Sequence, residues 1–468
     1  MVLRYVTRLA APGAAALVAQ CGVERRSGCD AAPREAPALR LQRKLTPVGR
    51  FSLLSETAAN PSIPAVLLKL VGPPLYEAEL AAALEKGFVK TSDRFSSVVD
   101  DATLTFLPLT TFNAKDAVTR VDANSINVAA EIVAPLDPSR PRWNAKMWHP
   151  QSDETMVLLR AHHALADGVS LAALFGKCTD QADQLDALVA GEVKKFRKRS
   201  FLERLVRGLA FFFLVVRAAL DHLVTNWRCR ILVRGGQSRS RSVAWASDFS
   251  DVETLKRVAK ALGGPRATVN DVYAAVVAGA LGRCLVNEET GTFCAALPVH
   301  LFGGALPPGQ EVGNHIGAVL VPLPLTKRDG DGDDARAHVR ACSEALRGSM
   351  RGGAAAVFAY MAAYAAGALL PRSVVPAAMA ASTRNVSVAM TNVRGPPLDL
   401  AICGRRVTQS VPFLPPPPGV AIGTALMTMG GFATLSINAQ ADVVDAGELL
   451  AHALAYYDDL VAAADRCT

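Results

Sequence analysis

A short apolar run, Met156-Val157-Leu158-Leu159, leads straight into His162-His163-Ala164-Leu165-Ala166-Asp167-Gly168, and a second apolar run, Val169 to Phe175, follows at once. The first run suits a short buried strand spanning Glu154 to Arg160. The second has helical character and an acid near its start, where a helix N-terminus favours one. The two histidines therefore sit on a strand-to-loop-to-helix corner, where side chains can be aimed into a cleft. From about Phe51 onward the chain alternates in the same way, which makes the expected fold class α/β.

Helices are expected over Glu77–Leu84, Ala267–Leu285 (with Thr268 as its cap) and Ala446–Ala464. Strands are expected over Thr103–Pro108, Phe293–Val299, Gly317–Leu323, Asn385–Thr391 and Leu435–Ala439. Gly235-Gly236 and the Ser/Arg run after it suit a linker, which puts a domain boundary near 240. The expected division is 1–50 as an N-terminal extension or targeting segment, 51–193 as a first lobe, 194–241 as a crossover and 242–468 as a second lobe. Arg328 to Asp334 carries alternating acids like a calcium loop but lacks the later bidentate acid, so a solvated loop is expected there.

The 468 residues allow two domains with a sizeable core. The nine cysteines are odd in number, scattered and without a C-x-x-C pair, which suits neither a disulfide framework nor a zinc cluster and points to a reducing compartment. The charge is local: Lys194 to Arg241 holds thirteen bases against Glu203 and Asp221, a surplus of eleven in a chain whose total is +8. Within it lies the apolar run Gly208 to Val216, and Leu205, Leu209, Phe212, Val216, Leu220 and Leu223 recur at helical spacing. Nucleic-acid binding gives that run no role, so no nucleic-acid partner is expected. A solvated basic crossover helix and attachment to an anionic membrane surface both remain, with attachment favoured.

The histidine pair carries the chemistry. A hydroxyl titrates far above neutrality, so its attack on an acyl thioester needs a base, and neutral imidazole is suited to that task. An Asp a few residues on can pin the loop, and a glycine after it allows a sharp turn and close approach of substrate. Paired histidines that merely cap a strand and a metal site are the bland alternatives. A metal would want a third ligand, and none stands at convincing spacing.

Five further stretches resemble one family in order along the chain: Arg94-Phe95-Ser96-Ser97, the block Pro135 to Trp143, Asn270-Asp271-Val272, Gly313-Asn314 and Thr391-Asn392-Val393-Arg394-Gly395-Pro396. With the histidine motif they resemble the plant-type branch of the wax ester synthase/acyl-CoA:diacylglycerol acyltransferase family, within the coenzyme A-dependent acyltransferase superfamily. The resemblance implies two chloramphenicol-acetyltransferase-like lobes joined by a helical crossover, with an active-site tunnel between them. It implies His163 as general base, His162 as the neighbour shaping the site, Asp167 as a structural residue, and Asn270 as support for the loop or the substrate carbonyl, with Gly168 the glycine that closes the motif.

Acyl-CoA is implied as substrate with no tightly bound cofactor and no metal. A long-chain alcohol or diacylglycerol is the implied acceptor. Another hydroxyl or amine acceptor, or a lipid-binding protein without catalysis, are the alternatives. The implied location is the cytosolic face of a membrane, endoplasmic reticulum or lipid droplet, or the plastid. Two departures stand out: Arg142 occupies an apolar position of the family's PLW block, and Arg394 replaces a proline in its TNVPGP block.

Overall fold

The computed structural model describes residues 42–193, 201–229, 233–284, 291–303, 306, 309–326 and 332–467. The stretch 1–41 of the expected extension and parts of the basic segment (194–200 and 230–232) lie outside them. Fifteen strands are described: β1 Arg43–Lys44, β2 Ala65–Val71, β3 Ser97–Asp100, β4 Thr105–Pro108, β5 Val118–Arg120, β6 Trp143–Gln151, β7 Glu154–Ala161, β8 Arg241–Asp251, β9 Gly291–His300, β10 Ile316–Leu325, β11 Val386–Arg394, β12 Ala401–Ile402, β13 Arg405–Phe413, β14 Ile422–Met429 and β15 Phe432–Gln440. The helices that matter below are α1 Pro47–Ser55, α2 Gly168–Gly176, α3 Phe201–Arg228, α4 Val269–Cys284, α5 Gly332–Met350, α6 Ala354–Leu369 and α7 Ala446–Asp465.

Two mixed six-stranded sheets organise the chain. One runs β12-β13-β2-β7-β6-β5, the other β10-β9-β11-β14-β15-β8, and β1, β4 and β3 form a small third sheet. Each large sheet backs onto its own core. Leu70, Phe88, Met147 and Leu165 belong to the first; Val276, Phe293, Val339 and Tyr456 belong to the second. A further cluster joins the lobes, with Leu67, Trp148, Leu158, Val411 and Phe413 of the first sheet packed against Val243 and Trp245 of β8 in the second.

The α/β expectation therefore holds, and most expected elements fall within a few residues of their places. The lobes are less cleanly divided than a boundary at 242 implies. β13 pairs antiparallel with β2 over Arg406↔Val71 to Phe413↔Ala65, so the second half of the chain lends an edge to the first sheet. The boundary expected at 50/51 falls inside α1, and β1, the first described strand, is paired to β4. The loop expected at 328–334 is outside the described residues up to 331, and α5 already opens at Gly332.

α6 bridges the lobes. Gly317 of β10 lets the Ala356 carbonyl of α6 approach where a side chain would collide, and Gly367 of α6 does the same for the Pro47 carbonyl of α1. Arg50 of α1 donates to the Leu370 carbonyl just past α6 at 3.0 Å. On its other side α6 meets the crossover helix α3, where the rings of Phe358 and His222 lie 5.7 Å apart. Among the described residues, no single helix is long and apolar enough to cross a membrane.

Candidate active site

The corner read from the sequence forms as expected. β7 ends at Ala161, and the backbone is then held on both sides: His162 N–H donates to the Arg142 carbonyl at 2.9 Å, and His163 N–H to the Ser62 carbonyl at 2.8 Å. Asp167 is the N-cap of α2, its Oδ1 accepting from Ser170 N–H at 2.7 Å. This is the reason the helix starts there: a side-chain carboxylate satisfies a donor that has no intrahelical partner.

His162 is buried, and both its nitrogens are committed. Nδ1 accepts from Ala164 N–H at 2.8 Å, so the ring proton sits on Nε2, which reaches Glu56 Oε2 at 3.0 Å. Burial acts to raise the Glu56 carboxyl. The His162 hydrogen bond and charge, Ser62 N–H and Arg142 outweigh it and hold that carboxyl below its ordinary range. Neither His162 nitrogen is therefore spare.

His163 is different. It is half-buried, and its Nδ1 has no hydrogen-bond partner among the described residues. Burial pushes its pKa down, with the His162 charge adding to that, while the Asp167 charge, the Ala166 carbonyl and Asn314 oppose it. The outcome is an imidazole kept neutral at neutral pH, the form that can take a proton.

None of the described hydrogen bonds of Asp167 goes to the His163 ring. Fully buried, Asp167 works between the lobes: its Oδ2 accepts from His315 N–H at 2.7 Å, and its own N–H donates to the Gly313 carbonyl at 2.9 Å. Ser170 Oγ adds a bond to the same carbonyl at 3.0 Å. His300, at the end of β9, points Nε2 at Asp167 Oδ2 from 3.6 Å; burial pushes its pKa down to about 4 against the pull of that carboxylate. Asn314 completes the grip, donating from Nδ2 to the His163 carbonyl at 2.6 Å.

Gly168 needs a correction. It is the first residue of α2 with no left-handed φ, so no sharp turn depends on it. Open space lies where its Cβ would stand, which suits the other half of the expectation, close approach of a substrate.

Asn270 is placed in the first turn of α4, exposed, and its Oδ1 accepts from Asn392 Nδ2 at 2.6 Å. Two of the sequence blocks thus meet each other, and none of the described bonds of Asn270 reaches the histidine loop. The neighbouring Asp271 closes the helix start by accepting from Thr268 N–H and Oγ at 2.6 and 2.8 Å.

The remaining blocks buttress the corner. Arg94 is buried and donates to the Leu165 carbonyl at 2.9 Å; burial, with Arg43, pushes its pKa down to about 10. Trp143 stacks on Phe88 at 5.7 Å and donates from its indole to the Phe95 carbonyl at 2.8 Å. The charge at Arg142 is met by both oxygens of Asp101 at 2.6 and 2.7 Å. Glu56, Ser62, His300 and His315 were not legible as site residues, since nothing in their local sequence marks them. A cavity of about 230 Å³ beside α3 and another of about 300 Å³ beside Leu174 are not lined by His163, so neither is the tunnel expected between the lobes.

The block that grips the loop, Gly313-Asn314, lies inside the stretch where a known family matches, residues 312–460. That stretch matches the family described as WS/DGAT C-terminal domain. Arabidopsis thaliana wax ester synthase/diacylglycerol acyltransferase 9 is 28% identical to this chain over 191 residues, 35% of this chain and 38% of the relative. Its paralogue 7 is 22% identical over 236 residues, 44% of this chain and 48% of the relative. The chain thus matches these curated relatives over less than half their length.

The WS/DGAT likeness extends to the whole fold. The wax ester synthase/diacylglycerol acyltransferase of Marinobacter aquaeolei VT8 superposes with a TM-score of 0.61 at 17% identity, over 90% of this chain and 100% of that one. The first condensation domain of the calcium-dependent antibiotic synthetase superposes at 0.58 and 16% identity, over 92% and 98%. The expected two-lobed architecture is borne out by these neighbours, and the family resemblance by the WS/DGAT matches.

Proposed function

We propose that this chain is an acyl-CoA-dependent O-acyltransferase that acylates a long-chain alcohol, giving a wax ester, or diacylglycerol, giving triacylglycerol, with His163 as general base. The observation that carries the reading is His163 itself: a neutral, half-buried imidazole at a corner gripped by both lobes, beside open space at Gly168, in a chain with a WS/DGAT C-terminal domain.

In this mechanism His163 takes the proton of the acceptor hydroxyl as its oxygen bonds to the thioester carbonyl carbon. The tetrahedral oxyanion collapses, the C–S bond breaks, and the departing thiolate of coenzyme A recovers the proton from His163. No acyl-enzyme forms, and no serine or cysteine nucleophile is needed. Asn392 engages Asn270 at its Oδ1, and this reading assigns the Asn270 amide N–H₂, with backbone N–H groups, as donor for the developing oxyanion.

We also propose that α3 attaches the enzyme to a lipid surface where such acceptors reside. Phe212 and Phe213 on it are 60% and 68% exposed, and Val216, Leu220 and Val224 extend the same apolar face. The basic surplus of 194–241 complements anionic headgroups. This reading puts the protein on the cytosolic face of the endoplasmic reticulum or of lipid droplets, or in the plastid.

The test is an acyltransferase assay with labelled palmitoyl-CoA and either hexadecanol or diacylglycerol, beside a His163→Ala control. Wax ester or triacylglycerol that disappears in the variant supports the base and names the acceptor. Product that survives the variant sinks the mechanism, and folded protein with no neutral-lipid product moves the reading to another hydroxyl or amine.

A further inference from the structure

Two polar atoms at the histidine corner are buried without hydrogen-bond partners among the described residues: Nδ1 of His163 and Oδ1 of Asn314. One can carry a proton and the other can only accept. They belong to residues already joined, since Asn314 Nδ2 donates to the His163 carbonyl at 2.6 Å. Asn314 itself is only 4% exposed, so water is a poor substitute for either missing bond.

We propose that Asn314 is a positioning residue that sets the tautomer of His163, accepting the Nδ1 proton on its Oδ1 and leaving the Nε2 lone pair free for the acceptor hydroxyl. The inference rests on the reading of His163 as base and extends it to the opposite lobe. A base on one lobe is then fixed, in backbone and in ring, by one amide from the other. Asn314 is suited to this because its two ends do different work: the N–H₂ holds the main chain, and the carbonyl holds the ring. The shift in His163 basicity agrees, since Asn314 raises it against the lowering by burial. The Ala166 carbonyl is the rival acceptor for the same ring, and it raises the basicity in the same sense. The experiment must separate the two.

The experiment compares wild-type, Asn314→Leu and Asn314→Asp proteins. With ¹⁵N-labelled histidine, the wild-type His163 resonance, identified by its loss in His163→Ala, is expected as the Nδ1–H tautomer. In Asn314→Leu that preference is expected to weaken. In the palmitoyl-CoA assay, Asn314→Leu is expected to lower kcat roughly 10- to 100-fold, a part of what a general base contributes, with KM within about threefold. The acid limb of kcat/KM moves to lower pH in Asn314→Leu, because an acceptor that favours the imidazolium is gone. It moves to higher pH in the near-isosteric Asn314→Asp, because a carboxylate favours the imidazolium more. A merely structural role does not move the limb in opposite directions.

An Nε2–H tautomer in the wild type overturns the proposal. So does an unchanged Nδ1–H tautomer in Asn314→Leu, which assigns the ring to Ala166. If Asn314→Leu does not fold, the Asn314→Asp shift and the wild-type tautomer still decide. His163→Ala that keeps full activity removes the base reading, while the tautomer measurements continue to test Asn314 independently.

Discussion

Asp167 and His315 stand 148 residues apart, and the backbone N–H of one lobe meets the carboxylate of the other at 2.7 Å. The second carboxylate oxygen caps α2, so one buried group starts the helix after the histidines and ties it to the opposite lobe. The site exists only when both lobes are docked.

Asp167→Asn is therefore expected to destabilise the protein as well as slow it. An amide presents one acceptor where two backbone donors wait, so one N–H loses its partner at a cost of about 1–3 kcal/mol. Chemical denaturation of the variant should show a lower midpoint with an unchanged slope.

Glu56 links stability to pH. Its folded pKa lies below the unfolded value near 4.5, so its pairing with His162 contributes fully above that value. The contribution fades as pH falls through the folded value. An acid titration of stability should be steeper below about pH 4.5 in wild type than in Glu56→Gln, which has no carboxyl to protonate. Equal slopes in the two proteins would remove Glu56 from the linkage.

Arg142 and Asp101 should respond unequally. The arginine side chain is 9% exposed and the aspartate 55%. Asp101→Ala leaves a buried guanidinium short of its partner and is expected to cost about 1–2 kcal/mol, reduced from the deep-burial figure by solvent at Asp101. Arg142→Leu removes the charge with its need and should stay within about 1 kcal/mol. Denaturant midpoints of both single variants and the double variant check the order.

The outer face of α3 is testable without an activity assay. Phe212→Ser with Phe213→Ser is expected to reduce flotation with phosphatidylserine-containing vesicles several-fold, and raised salt should weaken binding of the wild type further. Equal flotation of wild type and double variant, or none in either, would detach α3 from the membrane.

The histidine corner was legible because its chemistry is local. An apolar run, two imidazoles, a carboxylate and the start of a helix follow one another in the chain, and Asp167 caps the helix it precedes. The Ala-rich α6 was missed, since a helix apolar nearly all round leaves no period to read. Arg405 to Phe413 was missed for another reason: its alternation can show that a strand has a buried face, while only packing decides whose sheet receives it, here β2 of the first lobe.

By itself, then, the sequence determined the α/β class and the histidine corner, because each depends on residues within a few positions of one another. The tertiary structure alone decided what holds that corner. Glu56 accepts a hydrogen bond from His162, Asn314 holds the His163 carbonyl, and His315 binds Asp167. Their separations of 106, 151 and 148 residues are set by lobe docking, and no local propensity or spacing encodes a contact of that range.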